Sequence, residues 1–362
     1  MGIFKNKKFK VIVSDFHLGK GRRSPDGSTN LLEDFDTDRE FIALMDYYLK
    51  DTFKNTHVEL VLNGDFFNLL QIDYRNRFTD FITEADALHK TMSILHGHRE
   101  LFDKLAEFSQ SPNHQVVFIL GNHDPGLLWP GVQEVLRKRL QGEVAFHMES
   151  YEEGGVYIEH GNQYYADNRY DRSQYFLSKK LPEPIINLPF GSFFIIHYLN
   201  EIKKERPYFD KIYPMRAYYR WAFIHDTWFA IKAILKFILF FFWFHLKPNP
   251  TKKINLIQSL QIIKEAPIHP KLDREAKRIL FSKEDIHIVV FGHTHACMHR
   301  QFSPGKDYFN TGTWNERISL ELGSLGRAKR LTYVHIDQEE GKPPQGFLRE
   351  WKGKSDVFAE VF

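Results

Sequence analysis

The sequence is nearly without cysteine: its 362 residues contain one, Cys297. A single thiol cannot form an intramolecular disulfide, so the disulfide-stabilised folds of small secreted proteins are excluded and a reducing compartment is expected. A strong excess of one charge is also missing, because 49 Lys and Arg against 46 Asp and Glu leave a net charge of +3. So small an excess does not by itself indicate a nucleic-acid partner.

Long apolar runs are scarce as well. The basic N-terminus is followed by only three apolar residues, Val11 to Val13, whereas a secretory signal needs about 7–15. The most apolar segment, Phe237 to Leu246, has ten residues between two lysines, and a membrane span needs about 20. We therefore expect a cytoplasmic chain that does not span a membrane and that begins with the first strand of a soluble fold.

Aromatic residues, in contrast, are abundant and concentrated. Residues 190–246 contain 19 aromatic side chains in 57 positions, with eight Lys or Arg and four Asp or Glu. One interpretation is a helical cap whose aromatic side chains pack on each other and on the core. The other is a basic, amphipathic element that lies in a membrane interface or lines an acyl-chain pocket, since interfacial helices combine Trp and Phe with cations. The eight cations favour the second interpretation and predict peripheral binding to the inner face of a membrane.

Short apolar runs rich in Val, Ile and Phe predict buried strands. Helical patterns at about 32–50 and 77–108 alternate with the early runs, which indicates an α/β layered core, and later runs at 308–310 and 331–337 predict a mixed sheet. Residues 166–283 break this rhythm and predict a largely helical insertion between two parts of the core, 1–165 and 284–362. The predicted strands are Phe9–Ser14, Val58–Asn63, Gln115–Leu120, Gly155–Glu159 and Ile286–Phe291.

Carboxylate, amide and imidazole side chains follow each of these five strands at once. In open α/β sheets, ligands bind beyond the carboxyl ends of the strands. Asp-x-His and His-x-His place two side chains on the same side of an extended segment, and a carboxylate offers two oxygens with which to bridge two ions. Any one motif could be an ordinary turn, but here all five would have to be turns at once. The candidate ligands of a centre with two first-row divalent ions are Asp15, His17, Asp65, Asn122, His160, His293 and His295.

At these residues the sequence resembles the calcineurin-like metallophosphoesterase superfamily, whose motifs are D-x-H, G-D, G-N-H-D, H and G-H-x-H. The resemblance covers about 1–165 and 284–325 and implies a four-layer α/β/β/α sandwich with a mostly helical insertion as a cap. It further implies two divalent ions, with Mn favoured and Fe or Zn as alternatives. The implied ligands are Asp15, His17, Asp65 and His295 for one ion, and Asp65, Asn122, His160 and His293 for the other.

The same resemblance implies a reaction and two catalytic residues. A hydroxide that bridges the two ions would attack phosphorus in line. His123 resembles the general acid that protonates the leaving oxygen. Asp124 would orient the His123 ring, as carboxylates do for imidazoles, although a carboxylate that caps the turn is an equal alternative.

Within the superfamily, the chain is similar to the UDP-2,3-diacylglucosamine pyrophosphohydrolase branch, whose helical lid covers acyl chains. The stretch His160 to Asn168 partly matches a motif of that branch and predicts Asn162 and Asp167 as substrate contacts. The chain departs from the branch where His123 replaces an arginine. A basic loop after the first motif could bind a second phosphate, or it could be a solvated loop; its cations are Lys20, Arg22 and Arg23.

These observations predict a dimetal phosphoester hydrolase. Its substrate would be an amphiphile that contains phosphate, cleaved at a phosphodiester or pyrophosphate bond of a lipid-linked or nucleotide-linked lipid molecule. A membrane surface would be contacted through residues 190–246, and neither a nucleic acid nor a protein partner is expected. The alternative is a soluble phosphodiesterase or nuclease, which would need a basic groove with stacking aromatic residues.

Overall fold

The computed structural model describes residues 7–23, 27–50, 53, 56–74, 77–246, 256–265, 271–321, 325–353 and 359–360. The strands are β1 (Lys7–Val13), β2 (His57–Asn63), β3 (His114–Ile119), β4 (Val144–His147), β5 (Ser150–Glu153), β6 (Val156–Glu159), β7 (Phe176–Leu177), β8 (Ile185–Ile186), β9 (Ile212–Tyr213), β10 (Ile288–Phe291), β11 (Met298–Ser303), β12 (Lys306–Asn310), β13 (Arg317–Ser319), β14 (Gly326–Ala328), β15 (Thr332–Glu339), β16 (Gln345–Glu350) and β17 (Ala359–Glu360). The helices are α1 (Asp38–Tyr48), α2 (Glu84–Gly97), α3 (Arg99–Gln110), α4 (Pro130–Leu140), α5 (Phe190–Phe194), α6 (Asn200–Lys203), α7 (Met215–His225), α8 (Thr227–Leu246), α9 (Leu256–Glu265) and α10 (Leu272–Ser282), with a π-helical turn, Ile195–Leu199, between α5 and α6.

The strands form two large sheets. The first has seven strands in the order β17-β16-β15-β1-β2-β3-β4, and the second has five in the order β11-β12-β10-β6-β5. Strands β1 to β4 run parallel to one another, whereas β15 is antiparallel to β1, so the first sheet is mixed as the sequence predicts. In the second sheet, β6, β10 and β12 are parallel. The carboxyl ends of the parallel strands therefore collect at one edge of each sheet.

The two sheets pack face to face between two helical layers. Ile12 and Val61 of the first sheet lie in one buried cluster with Ile158 and Val290 of the second. Because side chains alternate along a strand, the neighbouring apolar residues of β1 point to the opposite face, where α1 to α4 cover the sheet. On the outer face of the second sheet, α10 packs through buried residues such as Leu280. These four layers confirm the predicted α/β/β/α sandwich.

Local signals explain where the helices begin and end. The pattern at 77–108 forms two helices, α2 and α3, which are interrupted at His98. Thr83 caps α2, because its side chain accepts a hydrogen bond from the backbone N–H of Asp86 and the Asp86 carboxylate accepts one from the N–H of Thr83. The pattern at 32–50 forms α1, which begins only at Asp38.

The insertion is mostly helical, and short strands join it to the core. Strand β9 pairs with β13 of the last part of the core, so that Ile212 lies opposite Ile318. Helix α10 lies inside the predicted insertion boundary of 283, yet it packs on the second sheet and completes the core.

One helix in the described part of the chain, α8, is long and apolar enough to cross a membrane by length and composition. The expectation from sequence counted only the ten residues after Lys236. The structure shows that Lys232 and Lys236 lie within a single helix of 20 residues, because a lysine does not interrupt an apolar helix.

Candidate metal centre

The loops that follow the parallel strands bring all seven predicted ligands to one edge of the two sheets. Asp15 and His17 follow β1, Asp65 follows β2, Asn122 follows β3, His160 follows β6, and His293 and His295 follow β10. Two backbone hydrogen bonds hold the first loops together, from Asp15 N to Gly64 O at 3.1 Å and from His17 N to Asp65 O at 2.9 Å. The ligands thus come from both sheets.

The distances between side chains are those of a metal-binding cluster. Asp65 Oδ2 lies 3.2 Å from His160 Nε2 and 3.9 Å from His17 Nε2. Asp15 Oδ1 lies 3.2 Å from His295 Nε2. Three groups have ligand atoms within 4.8 Å of one another: Asp15, His17 and His295; His17, Asp65 and His123; and Asp65, His160 and His293. Asp65 belongs to two of these groups, and His17 connects them to the third.

The backbone at this site is strained. Eight described residues other than glycine have a positive φ, and five of them are predicted ligands: Asp15, His17, Asp65, His293 and His295, with φ between 50° and 67°. Such conformations cost about 1–3 kcal/mol each and persist where the surrounding structure imposes them, typically at functional sites. Gly64 has a φ of +78°, and a Cβ there would lie 2.4 Å from the His160 ring. Only glycine fits at that position.

Burial and mutual charge set the protonation of the cluster. Burial and the nearby His123 ring lower the pKa of His17 to about 3, and burial and His160 lower that of His293 to about 3. Burial disfavours the charged form of Asp65 as well, but His160 and His123 hold its pKa well below the usual range. His17 and His293 thus offer neutral imidazoles and Asp65 an ionised carboxylate, which are the forms that bind metals.

Unpaired polar atoms show that the residues fit metal ions. Asp15 Oδ1, Asn122 Oδ1 and His160 Nε2 are buried and make no hydrogen bond in the described structure. His160 donates from Nδ1 to the carbonyl of Asn63 at 2.9 Å, which leaves Nε2 directed at the carboxylates. Burial disfavours the protonated form of His160, but the negative charges of Asp65 and Asp15 raise its pKa to about 10. Buried acceptors of this kind attract a cation, and oxygen and imidazole donors suit first-row divalent metals.

His123 lies beside this cluster, and its partner differs from the prediction. The His123 ring is 4.5 Å from the His17 ring, and its Nδ1 lies 2.9 Å from Oδ1 of Asn68. Asp124 accepts instead from the backbone N–H groups of Phe67 at 2.7 Å and Gly121 at 3.0 Å. The prediction that Asp124 orients His123 is therefore wrong, and the alternative of a turn-capping carboxylate is correct. Burial and Asp65 raise the pKa of Asp124 to about 8.

Asn68 is a site residue that the sequence prediction missed, and buried side chains connect it to the insertion. Its amide donates to Gln71, and Gln71 Nε2 donates to Oδ1 of Asn200 in α6 at 3.1 Å. Lys203 donates to Gln71 Oε1 at 3.2 Å and to Asp210 at 2.7 Å. The sequence signal that could have indicated this network is the presence of polar residues, such as Asn200, within an otherwise apolar segment. Such residues need buried partners, and here the partners lie against the site.

Two cations of the basic loop pair with carboxylates that are not predicted metal ligands. Lys20 forms an ion pair with Asp73 at 2.6 Å, and Arg22 forms one with Asp36 at 2.8 Å. Arg22 and Arg23 line a separate cavity of about 520 Å³ that none of the seven ligands lines. Nearby carboxylates thus pair with two of these cations, and the binding of a second phosphate by this loop stays a prediction.

The two remaining predicted contacts lie on the edge of the site. The Asn162 side chain donates to the carbonyl of Asn168 at 2.9 Å and so fixes the turn between them. Asp167 lines a cavity of about 930 Å³ together with His293 and His295. Asp167 therefore borders the site, whereas Asn162 shapes the loop that borders it.

Arg317 is a second residue that the sequence prediction missed. It lines both the cavity of 930 Å³ and a smaller one of about 280 Å³ that also contains His17 and His123. Its Nη1 donates to the carbonyl of His295 at 2.8 Å, and its guanidinium lies 5.4 Å from the centre of the Tyr213 ring. Burial lowers the pKa of Arg317, and no ion pair within the described residues includes it. A guanidinium of this kind is available for an anionic ligand.

Comparison with known proteins gives one family match. A family model described as calcineurin-like phosphoesterase matches residues 11–297. Among solved structures, the chain is similar to Vacuolar Protein Sorting 29 from Cryptosporidium parvum, with 13% identity, 99% of each chain covered and a TM-score of 0.35. It is also similar to a predicted phosphoesterase from Streptococcus pneumoniae TIGR4, with 10% identity, 99% of this chain and 98% of the other covered, and a TM-score of 0.30. No curated protein matches the chain.

Proposed function

Because the chain belongs to the calcineurin-like phosphoesterase family and is therefore a metal-dependent phosphoester hydrolase, we propose that it cleaves a phosphodiester or pyrophosphate bond in a lipid-linked or nucleotide-linked lipid substrate. One ion would be held by Asp15, His17, Asp65 and His295, and the other by Asp65, Asn122, His160 and His293. Two bound divalent ions, with Mn favoured, supply an activated water and neutralise charge on the phosphoryl oxygens.

His123 is the proposed general acid. The side-chain oxygen Oδ1 of Asn68 accepts a hydrogen bond from Nδ1 of His123 and fixes the ring. Nε2 of His123 is then left to give a proton to the leaving oxygen. Arg317 lines the same cavity and would bind the phosphoryl oxygens or a second phosphate of the substrate. The reacting phosphorus would thus lie between the metal ligands, the acid and one guanidinium.

The observation that supports an amphiphilic substrate is the lining of the cavity of 280 Å³. Ile195, Leu199 and Ile212 of the insertion line it together with His17 and His123 of the core. An apolar group of the substrate can therefore contact the insertion while its phosphate lies at the metal ligands. The larger cavity, which is lined by His293 and Arg317, has room for a polar head group.

The test compares a soluble phosphodiester with nucleotide-diphosphate lipids of increasing acyl length in the presence of Mn²⁺. We expect kcat/KM to rise with chain length, because each buried CH₂ contributes about 0.8 kcal/mol. Equal values for short and long substrates would contradict the lipid substrate and favour the soluble phosphodiesterase. Efficient cleavage of a nucleic acid, falling steeply with salt, would favour a nuclease.

A substitution tests the metal centre separately. Asp65→Asn should abolish turnover of every substrate and lower the bound metal, which mass spectrometry of the purified protein measures. Asp307→Asn is the matched control, because Asp307 pairs with His299 at the far end of β12 and should keep both activity and metal. Normal turnover by Asp65→Asn would end the dimetal proposal.

A further inference from the structure

The outer side of the α7–α8 hairpin is a large exposed apolar surface. Trp228 is 84% exposed, Leu239 67% and Phe242 56%, and Ile224 of α7 is 74% exposed. Monomeric soluble proteins rarely expose contiguous apolar patches of more than a few hundred Å², and larger patches mark interaction sites. We call this surface, formed by Trp221, Ile224, Trp228, Leu235, Leu239 and Phe242, the outer apolar face.

The spacing along α8 makes this face continuous. Trp228, Leu235, Leu239 and Phe242 follow one another at intervals of seven, four and three residues, which places them in one stripe on an α-helix. Lys232 lies at the border of the stripe, where it is exposed and pairs with Glu205 at 2.7 Å. The helix therefore has one apolar side directed at solvent and a cationic side chain beside it.

The opposite side of α8 packs on the insertion near both ends of the helix. Near its start, the Phe229 ring lies 6.2 Å from Phe209. Near its end, the Phe244 ring lies 5.2 Å from Phe190 and 5.3 Å from Phe193. A helix that is held in this way along the protein cannot cross a bilayer without losing these contacts. It can lie in the plane of the interface and insert its free side only.

The charge of the α7–α8 hairpin indicates which kind of surface the outer apolar face can contact. Helices α7 and α8 contain Arg216, Arg220 and two lysines but no acidic residue. The two lysines pair with Glu205, and Asp226 between the helices accepts from Arg206, so Arg216 and Arg220 carry the cationic character of the hairpin. Arg216 and Arg220 are exposed. Cations near a membrane surface strengthen binding when the lipids are anionic. A second copy of the same cationic hairpin would add repulsion across the face.

We propose that the outer apolar face docks on an anionic lipid bilayer, with α8 lying parallel to the membrane plane. Trp228 and the leucines enter the boundary between head groups and acyl chains, and Arg216 and Arg220 contact the anionic head groups. This docking does not depend on catalysis, and it would hold the cavities beneath the insertion close to the lipid surface.

Flotation with vesicles tests the proposal. Wild-type protein should float with vesicles of phosphatidylcholine and phosphatidylglycerol and much less with phosphatidylcholine alone. The triple variant Trp228→Ser, Leu239→Ser, Phe242→Ser should lose about tenfold or more in partitioning, equivalent to 1.4 kcal/mol. Arg216→Glu with Arg220→Glu should remove the preference for anionic vesicles.

The matched control removes as many exposed apolar side chains elsewhere. Met92, Phe281 and Met298 are 54%, 57% and 45% exposed, and their replacement by Ser should leave flotation unchanged. Circular dichroism should show the same melting temperature for both triple variants, since the replaced side chains are exposed. The inactive Asp65→Asn variant should float like the wild type, which separates docking from hydrolysis.

Three outcomes would overturn docking. In the first, wild-type protein fails to float with either kind of vesicle. In the second, the two triple variants float to the same extent. The third is a wild-type dimer, seen by light scattering, that the Trp228 triple variant converts to a monomer while neither binds vesicles. In that case the outer apolar face is a surface between two copies of this chain.

Discussion

At the scale of the residue, the metal centre depends on side chains whose own backbone is unfavourable. His17 and His293 adopt a positive φ and keep a lowered pKa, so each remains a neutral ligand in a buried site. The loop carbonyls of Asp15 and Phe16 are held by Asn315, whose amide donates to both. Hydrogen bonds from the last part of the core thus hold the strained backbone of this loop in place.

Asn68 gives the first prediction. Asn68→Ala removes the acceptor of His123 Nδ1 and should lower kcat, since general acid catalysis contributes about 10²–10⁴-fold, while bound metal stays unchanged. Asn68→Asp restores an acceptor and should recover much of the rate. The loss in Asn68→Ala should be smaller for a nitrophenolate leaving group, which needs little protonation. An equal loss on both kinds of substrate would show that Asn68 does not act through the acid.

Arg317 gives the second prediction. Arg317→Ala should raise KM more for a pyrophosphate substrate than for a phosphate monoester, because the guanidinium would bind the oxygens of the second phosphoryl group by charge-assisted hydrogen bonds. Steady-state kinetics on both substrates measures the difference. Arg327→Ala is the control, since Arg327 lies on β14 of the same small sheet and is exposed. Similar effects of the two substitutions would contradict a role for Arg317 in substrate binding.

At the scale of the element, α8 carries two faces with opposite consequences. Phe240 and Phe244 are buried against α5, whereas Leu239 and Phe242 are exposed. Composition alone predicts either packing or lipid contact for this segment, and the structure buries one side of the helix while it exposes the other. Packing therefore holds for one side of the helix, and lipid contact is proposed for the other side only.

This division gives the third prediction, on stability. Phe244→Ala should lower the free energy of unfolding by about 3–5 kcal/mol, because it leaves a cavity beside Phe190 and Phe193. Phe242→Ala should change it by no more than about 0.5 kcal/mol, since the side chain is 56% exposed. Chemical denaturation measures both. Comparable losses would mean that Phe242 is covered in solution.

At the scale of the whole molecule, buried ionic groups connect distant parts of the chain. Lys203 of α6 is buried and pairs with Asp34 of the core as well as with Asp210. His98, between α2 and α3, lies 2.7 Å from Asp38 and 3.6 Å from Glu33. Glu33 in turn accepts from the backbone N–H groups of Gly19 and Gly21, so it fixes the loop after the first metal motif.

His98 gives the fourth prediction, on pH. Burial opposes its charge, but Asp38 and Glu33 raise the pKa of His98 from 6.5 to about 9. A raised pKa in the folded state stabilises the protein fully below pH 6.5, and this contribution is lost as the pH rises towards 9. Relative to His98→Gln, the wild type should lose on the order of 3 kcal/mol of unfolding free energy over this window. A difference that is independent of pH would contradict the ion pairs of His98.

The sequence by itself determined the layers of the core and the chemistry of the metal centre. Strand residues such as Ile12 and Val61 are apolar in short runs, and the ligands follow those runs directly, so local patterns were enough. The parallel topology then brings residues as distant as Asp15 and His293 together, because carboxyl ends of parallel strands share an edge.

The tertiary structure alone decided which polar groups meet. Asn68, and not Asp124, contacts His123, because the backbone N–H groups of Phe67 and Gly121 already occupy the Asp124 carboxylate. Lys20 pairs with Asp73, which is 53 residues away in the sequence. Such pairings depend on which loops pack together, and neither local propensity nor motif order contains that information.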